Sequence, residues 1–342
     1  MKYLLAYSDT FATALFLWPL VSLLLTLPIL AFLYRRDGSL RFFSALGAYL
    51  AVLYFLGLVC FTLYPLPTGD SGPGITYGIA PRTDILDFIG DLRRNTKYAV
   101  FQLGANVVLF IPFGFILCRG LDAGPVTSTL LGAATSTLIE TAQLTGLFGL
   151  YPYAYRTFDV DDILTNTTGA LIGSLVALAL GHFLPRKCDP ADLEVTAKPG
   201  FVRRLVALCL DAFIIAGCTG IAYAGGQWLV RRGYLHALPA NAGLYVAAGF
   251  VILFEFLVPL LGRGQTFGGF IVRTTCDTKL RHGFLRLVFY LARIAVFGLL
   301  LLSDLDVVTL FVCAMVWVFK RQMPYDLIPA SAADDRASAV YR

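Results

Sequence analysis

The chain has 342 residues, 58% of them hydrophobic and only 14% charged, with a mean hydropathy of +0.73. Soluble domains carry roughly 25% charged residues, so water is not the main solvent of this chain. The formal net charge of +5 does not mark a nucleic-acid partner, because Lys and Arg sit between apolar runs instead of forming one basic patch.

Apolar runs of about 20 residues, enough to cross a hydrocarbon core at about 1.5 Å per residue, recur along almost the whole length. They predict helices at 11–34, 43–65, 98–118, 126–149, 162–184, 205–225, 243–262, 285–302 and 305–319. A closed β-barrel would need short segments alternating apolar with polar, and these runs are apolar on all sides. The fold class is therefore an all-α, polytopic transmembrane helical bundle of about nine spans in two helical domains. The first run follows Lys2 and is interrupted by Ser8, Asp9 and Thr10. It is too long for a signal-peptide core and has no clear small-residue cleavage site, so it is expected to stay. Only Ser303, Asp304 and Asp306 separate the last two runs, and a single long span plus a re-entrant piece is the alternative there.

Lys and Arg on alternate loops orient the bundle. One side holds 18 of them, including Arg35, Arg36, Arg119, Arg186, Lys187, Arg203 and Arg204, and the other holds 8, including Arg82, Arg93, Arg94 and Arg156. The richer side is assigned to the cytoplasm, which places the N-terminus outside and the C-terminus inside a bacterial cytoplasmic membrane. The long outer loop from Pro65 to Lys97 contains Ile85, Phe88, Ile89 and Leu92 at helical spacing after Thr83. That pattern predicts a short amphipathic helix, on the membrane surface or covering the bundle mouth. The polar, Pro-containing stretch 185–200 reads as a cytoplasmic linker. It divides a first domain at 1–184 from a second at 201–332, with a polar tail at 333–342.

Polar residues inside apolar runs locate the chemistry. The third run contains Asn106 and Pro112. Pro112 removes a backbone donor, and an unpaired Asn amide in hydrocarbon would cost about 2–7 kcal/mol. Glu140 and Gln143, three residues apart in the fourth run, share a face. The fifth begins with Arg156, Asp159, Asp161, Asp162 and Asn166. Asp159 is placed to cap the helix start, and Gly169 and Gly173 lie four apart to admit a close neighbour. Asn106, Glu140, Gln143, Arg156, Asp159, Asp162 and Asn166 are thus candidates for one outer-side pocket or polar network. Asn-x-x-x-Phe-x-Pro-x-Gly, Glu-x-x-Gln and Arg-x-x-Asp-x-Asp-Asp-x-x-x-Asn-x-x-Gly-Ala, in that order, resemble the VanZ-like family over about residues 15–184. The family takes its name from a protein linked to low-level resistance to the glycopeptide teicoplanin. The resemblance implies a cell-envelope role, with a glycopeptide or cell-wall precursor as ligand, and supplies no reaction.

The second domain carries Arg203-Arg204, then Asp211 about two turns into a helix, Gly264-Gln-Thr266-Phe-Gly268, and a late Asp326. This order resembles the RDD family over about residues 200–332, although Gly269 stands where a basic residue often follows the glycine. Independently of any family, Asp211, Glu255 and Arg293 come from three spans at similar depth. Single charges there cost about 2.5–3.5 kcal/mol, so mutual pairing is expected. Arg204, Asp211, Glu255, Arg293 and Asp326 form this second charge set.

The leading function is a non-enzymatic envelope protein that recognises an external ligand. The alternatives are an ion or solute transporter using Asp211, Glu255 and Arg293, and a membrane-embedded transferase or hydrolase. Neither a nucleophile with an adjacent base nor HExxH is visible. The seven cysteines show no CxxC or Cys/His ligand spacing, and no metal or cofactor is inferred. Besides lipid, the expected partners are an external ligand and a second copy of the chain.

Overall fold

The computed structural model describes residues 2–63, 81–85, 93, 96–151, 154, 156–183, 193–262, 264–277, 279 and 281–330. The amphipathic helix expected over 85–92 lies outside the described residues beyond Ile85, as do the linker's first half, 185–192, and the tail. Long helices account for all nine apolar runs: α1 (Lys2–Asp37), α2 (Phe42–Leu63), α3 (Thr96–Phe115), α4 (Pro125–Leu144), α5 (Val160–Phe183), α6 (Phe201–Arg231), α7 (Ala242–Ile252), then, after a short α8 (Phe267–Ile271), α9 (Gly283–Leu302) and α10 (Asp306–Lys320). Among the described residues there is no strand, only isolated bridges joining Arg82 to Asp159 and Thr196 to Thr274.

Among the described residues seven helices are long and apolar enough to cross a membrane, ending in turn at Asp37, Leu63, Gly120, Phe183, Arg231, Leu261 and Leu300. They make this a multi-pass membrane protein. The remaining two expected spans are helices of a different character. In α4, Ser and Thr dilute the apolar stripe, with Thr129, Thr137 and Thr141 donating their hydroxyls to the carbonyls four residues back. Helix α10 has only 15 residues. The run expected to reach 149 ends at Leu144, because Gly146, Leu147 and Phe148 take left-handed backbone angles that no α-helix continues through. Large apolar side chains such as Phe16, Leu23, Phe43, Phe213, Ile221 and Val307 project outward, as a hydrocarbon solvent allows.

The chain divides into two compact units, Met1–Leu24 with Leu46–Lys187, and Leu25–Ala45 with Cys188–Arg342. In the first, α5 packs against α3 and α4 around Leu58, Phe110, Phe113, Leu117 and Ala170. A Cβ on Gly169 would meet the Val107 carbonyl, and one on Gly173 the Ile111 carbonyl, so the two small positions let α3 and α5 touch backbone to backbone. Gly114 does the same from α3 against the Ala170 carbonyl. Tyr54 donates its hydroxyl to the Leu109 carbonyl at 2.8 Å, just ahead of Pro112, and α3 closes in a π-helical turn, Ile116–Gly120.

In the second unit the end of α1 packs through Ala31 and Tyr34 on Val206, Ala207 and Val272, with the Arg203 guanidinium 4.8 Å from the Tyr34 ring. Helix α7 passes through a π-helical turn, Leu253–Leu257, before finishing as Val258–Leu261. A 3-10 turn, Pro324–Leu327, returns onto α9, where Tyr325 meets Phe289 edge-on at 5.7 Å. Short α8 lies against α6, and Gly268 has no room for a Cβ beside the Ala207 carbonyl.

Candidate functional site

In the first unit the α3–α4–α5 packing brings the polar positions together. Asn106 of α3 donates its amide to Asp162 Oδ1 on α5 at 2.7 Å. Asn166, one turn further along α5, donates to the Ser136 hydroxyl of α4 at 2.8 Å, both side chains being buried. Glu140, one turn above Ser136 and 3% exposed, accepts the Asp159 backbone N–H at 3.0 Å. Asp159 in turn accepts the Asp161 N–H at 2.9 Å, which makes it the cap of α5. Gln143 and Arg156 both donate to the Thr62 carbonyl, at 2.7 and 3.3 Å. That carbonyl belongs to the last turn of α2, where intrahelical partners have run out.

All seven expected residues thus belong to linked contacts across α2, α3, α4 and α5. Three participants were not anticipated: Ser136, the Thr62 carbonyl and Arg82. Arg82 exchanges backbone hydrogen bonds with Phe158 and Val160, and its guanidinium lies 3.6 Å from Asp159 Oδ2. Ser136 was legible in principle, standing four residues before Glu140 on the same face. Neither a backbone carbonyl nor a loop arginine far away in sequence leaves such a signal.

Residues 51–181 match the VanZ/LLP1 family model. The matched stretch lies wholly within the first unit and contains all seven polar positions, so the similarity to that family falls on this unit. No curated protein and no solved structure matches the chain.

Chemically the VanZ-like site is rich in acceptors. Glu140, Asp159 and Asp162 lie within electrostatic range of one another and of Arg156. Arg156 and Arg82 are the exposed members and Glu140, Gln143 and Asn166 the buried ones, which grades the site from a charged rim to a carboxylate and amide floor.

The second charge set resolves into separate contacts. Glu255 in the π-helical turn pairs with Arg293 of α9 at 2.5 Å, and both are almost fully buried. Arg204 pairs with Asp326 at 2.5 Å and also stands 5.4 Å from the Trp317 ring. Asp211 accepts the Gly268 N–H at 2.7 Å beside Thr266, whose hydroxyl accepts the Gly269 N–H. The direct donor to Asp211 is this main-chain amide of α8, while Arg293 and Glu255 stand within electrostatic range of it. Around Asp326, Lys279 donates to the Asp326 carbonyl at 2.6 Å, and Arg281 bridges Asp277 and the Ile328 carbonyl. Burial holds the Asp277 carboxyl above its ordinary range against the opposing pull of Arg281.

Proposed function

We propose that this protein works in the bacterial cell envelope, where its VanZ-like unit recognises a polar ligand presented from outside and contributes to tolerance of teicoplanin-type glycopeptides. The observation that supports this most is the joining of Asn106, Glu140, Asp159 and Asp162 across three helices, inside the stretch that matches the family model. Carboxylates held by an amide and a main-chain N–H are pre-organised as acceptors for a donor-rich group, and Arg156 and Arg82 at the rim provide charge to orient it. The excess of Lys and Arg on the alternate loops assigns this rim to the outer face. The second unit carries the RDD-like pattern and is assigned to anchoring, dimerisation or ion coupling.

The test is glycopeptide susceptibility of a bacterial host expressing wild type, Glu140→Gln, Asp162→Asn or Asp211→Asn, with membrane levels matched by blotting. Protection by wild type that disappears in the first two variants and survives in the third is the expected result. Absence of protection by wild type would overturn the glycopeptide reading in that host.

A further inference from the structure

The second unit contains three stacked layers that its buried pairs alone do not explain. Between α6 and α7 lies an open-sided cavity of about 430 Å³ lined by Ala216, Thr219, Gly220, Tyr223, Gly243 and Ala247, among others. The Thr219 hydroxyl is buried there without a hydrogen-bond partner. At one end of the cavity Ile215 and Val251 join Phe297 of α9 in a tight apolar cluster. Each of these residues stands four positions from a charged one on its own helix: Ile215 from Asp211, Val251 from Glu255, Phe297 from Arg293. The Arg293 guanidinium lies 5.7 Å from the Phe297 ring, so apolar layer and charge layer are in direct contact.

The charge layer is incomplete. Two carboxyl groups stand against one guanidinium, so ionisation of both would leave one negative charge without a partner. Asp211 Oδ2, Glu255 Oε1, Arg293 Nε and Arg293 Nη1 are all buried and lack hydrogen-bond partners. Cys276 and Tyr325 complete the titratable groups around Arg293, while Thr266 and the Gly268 N–H face Asp211. Buried polar groups normally find partners, and an exception calls for a cause, such as an ion or a water held at the site. The π-helical turn that carries Glu255 is a further sign, since such turns recur at working sites in helices.

We infer that Asp211, Glu255 and Arg293 form a binding site for one monovalent cation, a proton or an alkali ion, reached from the α6–α7 cavity through an apolar gate of Ile215, Val251 and Phe297. The cation supplies the missing positive charge and takes up the orphaned carboxylate oxygens. In the structure the gate is closed. Asp211 and Glu255 belong to neither the VanZ-like site nor its ligand, so this inference stands or falls separately from the function proposed above.

Full-length protein in liposomes tests it. One arm drives protons with a potassium–valinomycin potential and reads an internal pH dye, and the other follows radioactive sodium uptake. Wild type is expected to exceed empty liposomes in one arm, which identifies the ion. Asp211→Asn and Glu255→Gln should lower that flux at least tenfold. Val251→Ala, which keeps every charge, should raise passive leak several-fold while eluting as a monodisperse peak. Wild type indistinguishable from empty liposomes in both arms would overturn the site, as would unchanged flux in the carboxylate variants. Unchanged leak in folded Val251→Ala would overturn the gate.

Discussion

Replacing Gly173 by Ala adds one methyl at the closest approach of α5 to α3. Besides meeting the Ile111 carbonyl oxygen, the new Cβ would lie 2.8 Å from the Ile111 carbonyl carbon and 2.9 Å from the Phe115 nitrogen. All three obstacles are backbone, so no rotamer change relieves the clash and the helices must separate. Overpacking of this kind costs about 1–3 kcal/mol. Separation also strains the Asn106–Asp162 contact between the same two helices, and a hydrogen bond to a charged group is worth about 1.5–3 kcal/mol. Against these stands the better helix propensity of Ala, about 1 kcal/mol. The net expectation is a loss of about 2–4 kcal/mol. Thermal and sodium dodecyl sulfate unfolding in mild detergent measure it, with Gly217→Ala as the opposite-sign control, since nothing lies within 4 Å of a Cβ there. Equal stability of the two variants would refute the claim that α3 and α5 touch through their backbones.

Four further outcomes follow from single contacts. Glu140→Gln keeps an acceptor for the Asp159 N–H and should cost under about 1 kcal/mol, whereas Glu140→Leu orphans it and should cost about 1–3 kcal/mol in the same melts. Asn106→Leu removes the amide donor from Asp162 and should destabilise by about 1.5–3 kcal/mol, read as a lower unfolding midpoint. Arg204→Ala leaves the buried Asp326 carboxylate uncompensated, an expected loss of about 3–5 kcal/mol, and combining Arg204→Met with Asp326→Leu should recover more than half of it. Burial pushes the Cys276 thiol up to about 12, so at pH 8 only about one molecule in ten thousand carries the reactive thiolate. N-ethylmaleimide should therefore modify Cys276 far more slowly in folded than in denatured protein, by mass spectrometry of the peptide, with the folded rate still climbing above pH 9.

The helices were legible because an apolar run of about 20 residues has few other meanings. Their interruptions were less so. Gly146 stopped α4 early, and the π-helical turns at Ile116–Gly120 and Leu253–Leu257 sit inside runs whose composition does not change. Of the VanZ-like site, the side chains that stand out in hydrocarbon were readable, since Asn106, Glu140 and Asp162 each needed a partner. Their partners were not. The Asp159 N–H and Thr62 carbonyl belong to the main chain, which residue type cannot reveal, and Arg82 is joined to Asp159 only through the fold. The use of Ala31 and Tyr34 in the second unit was equally hidden, because their helix belongs in sequence to the first apolar run.

Both buried polar sets combine held and unpartnered groups, Asn166 Oδ1 among them in the first unit, and they differ in the charge of what is left open. In the first unit Glu140 holds a main-chain amide and Asp162 a side-chain amide, arrangements that fix the carboxylates in place. In the second, Asp211 and Glu255 keep an oxygen without a partner, and Arg293 two nitrogens. A fixed acceptor recognises a ligand of complementary shape without changing its own state. An under-satisfied buried charge gains from every cation that reaches it, so its occupancy responds to the ions available and to the barrier before it. The Ile215–Val251–Phe297 layer is such a barrier, and its position one turn from all three charged residues makes the second unit, rather than the VanZ-like one, the place to look for ion movement.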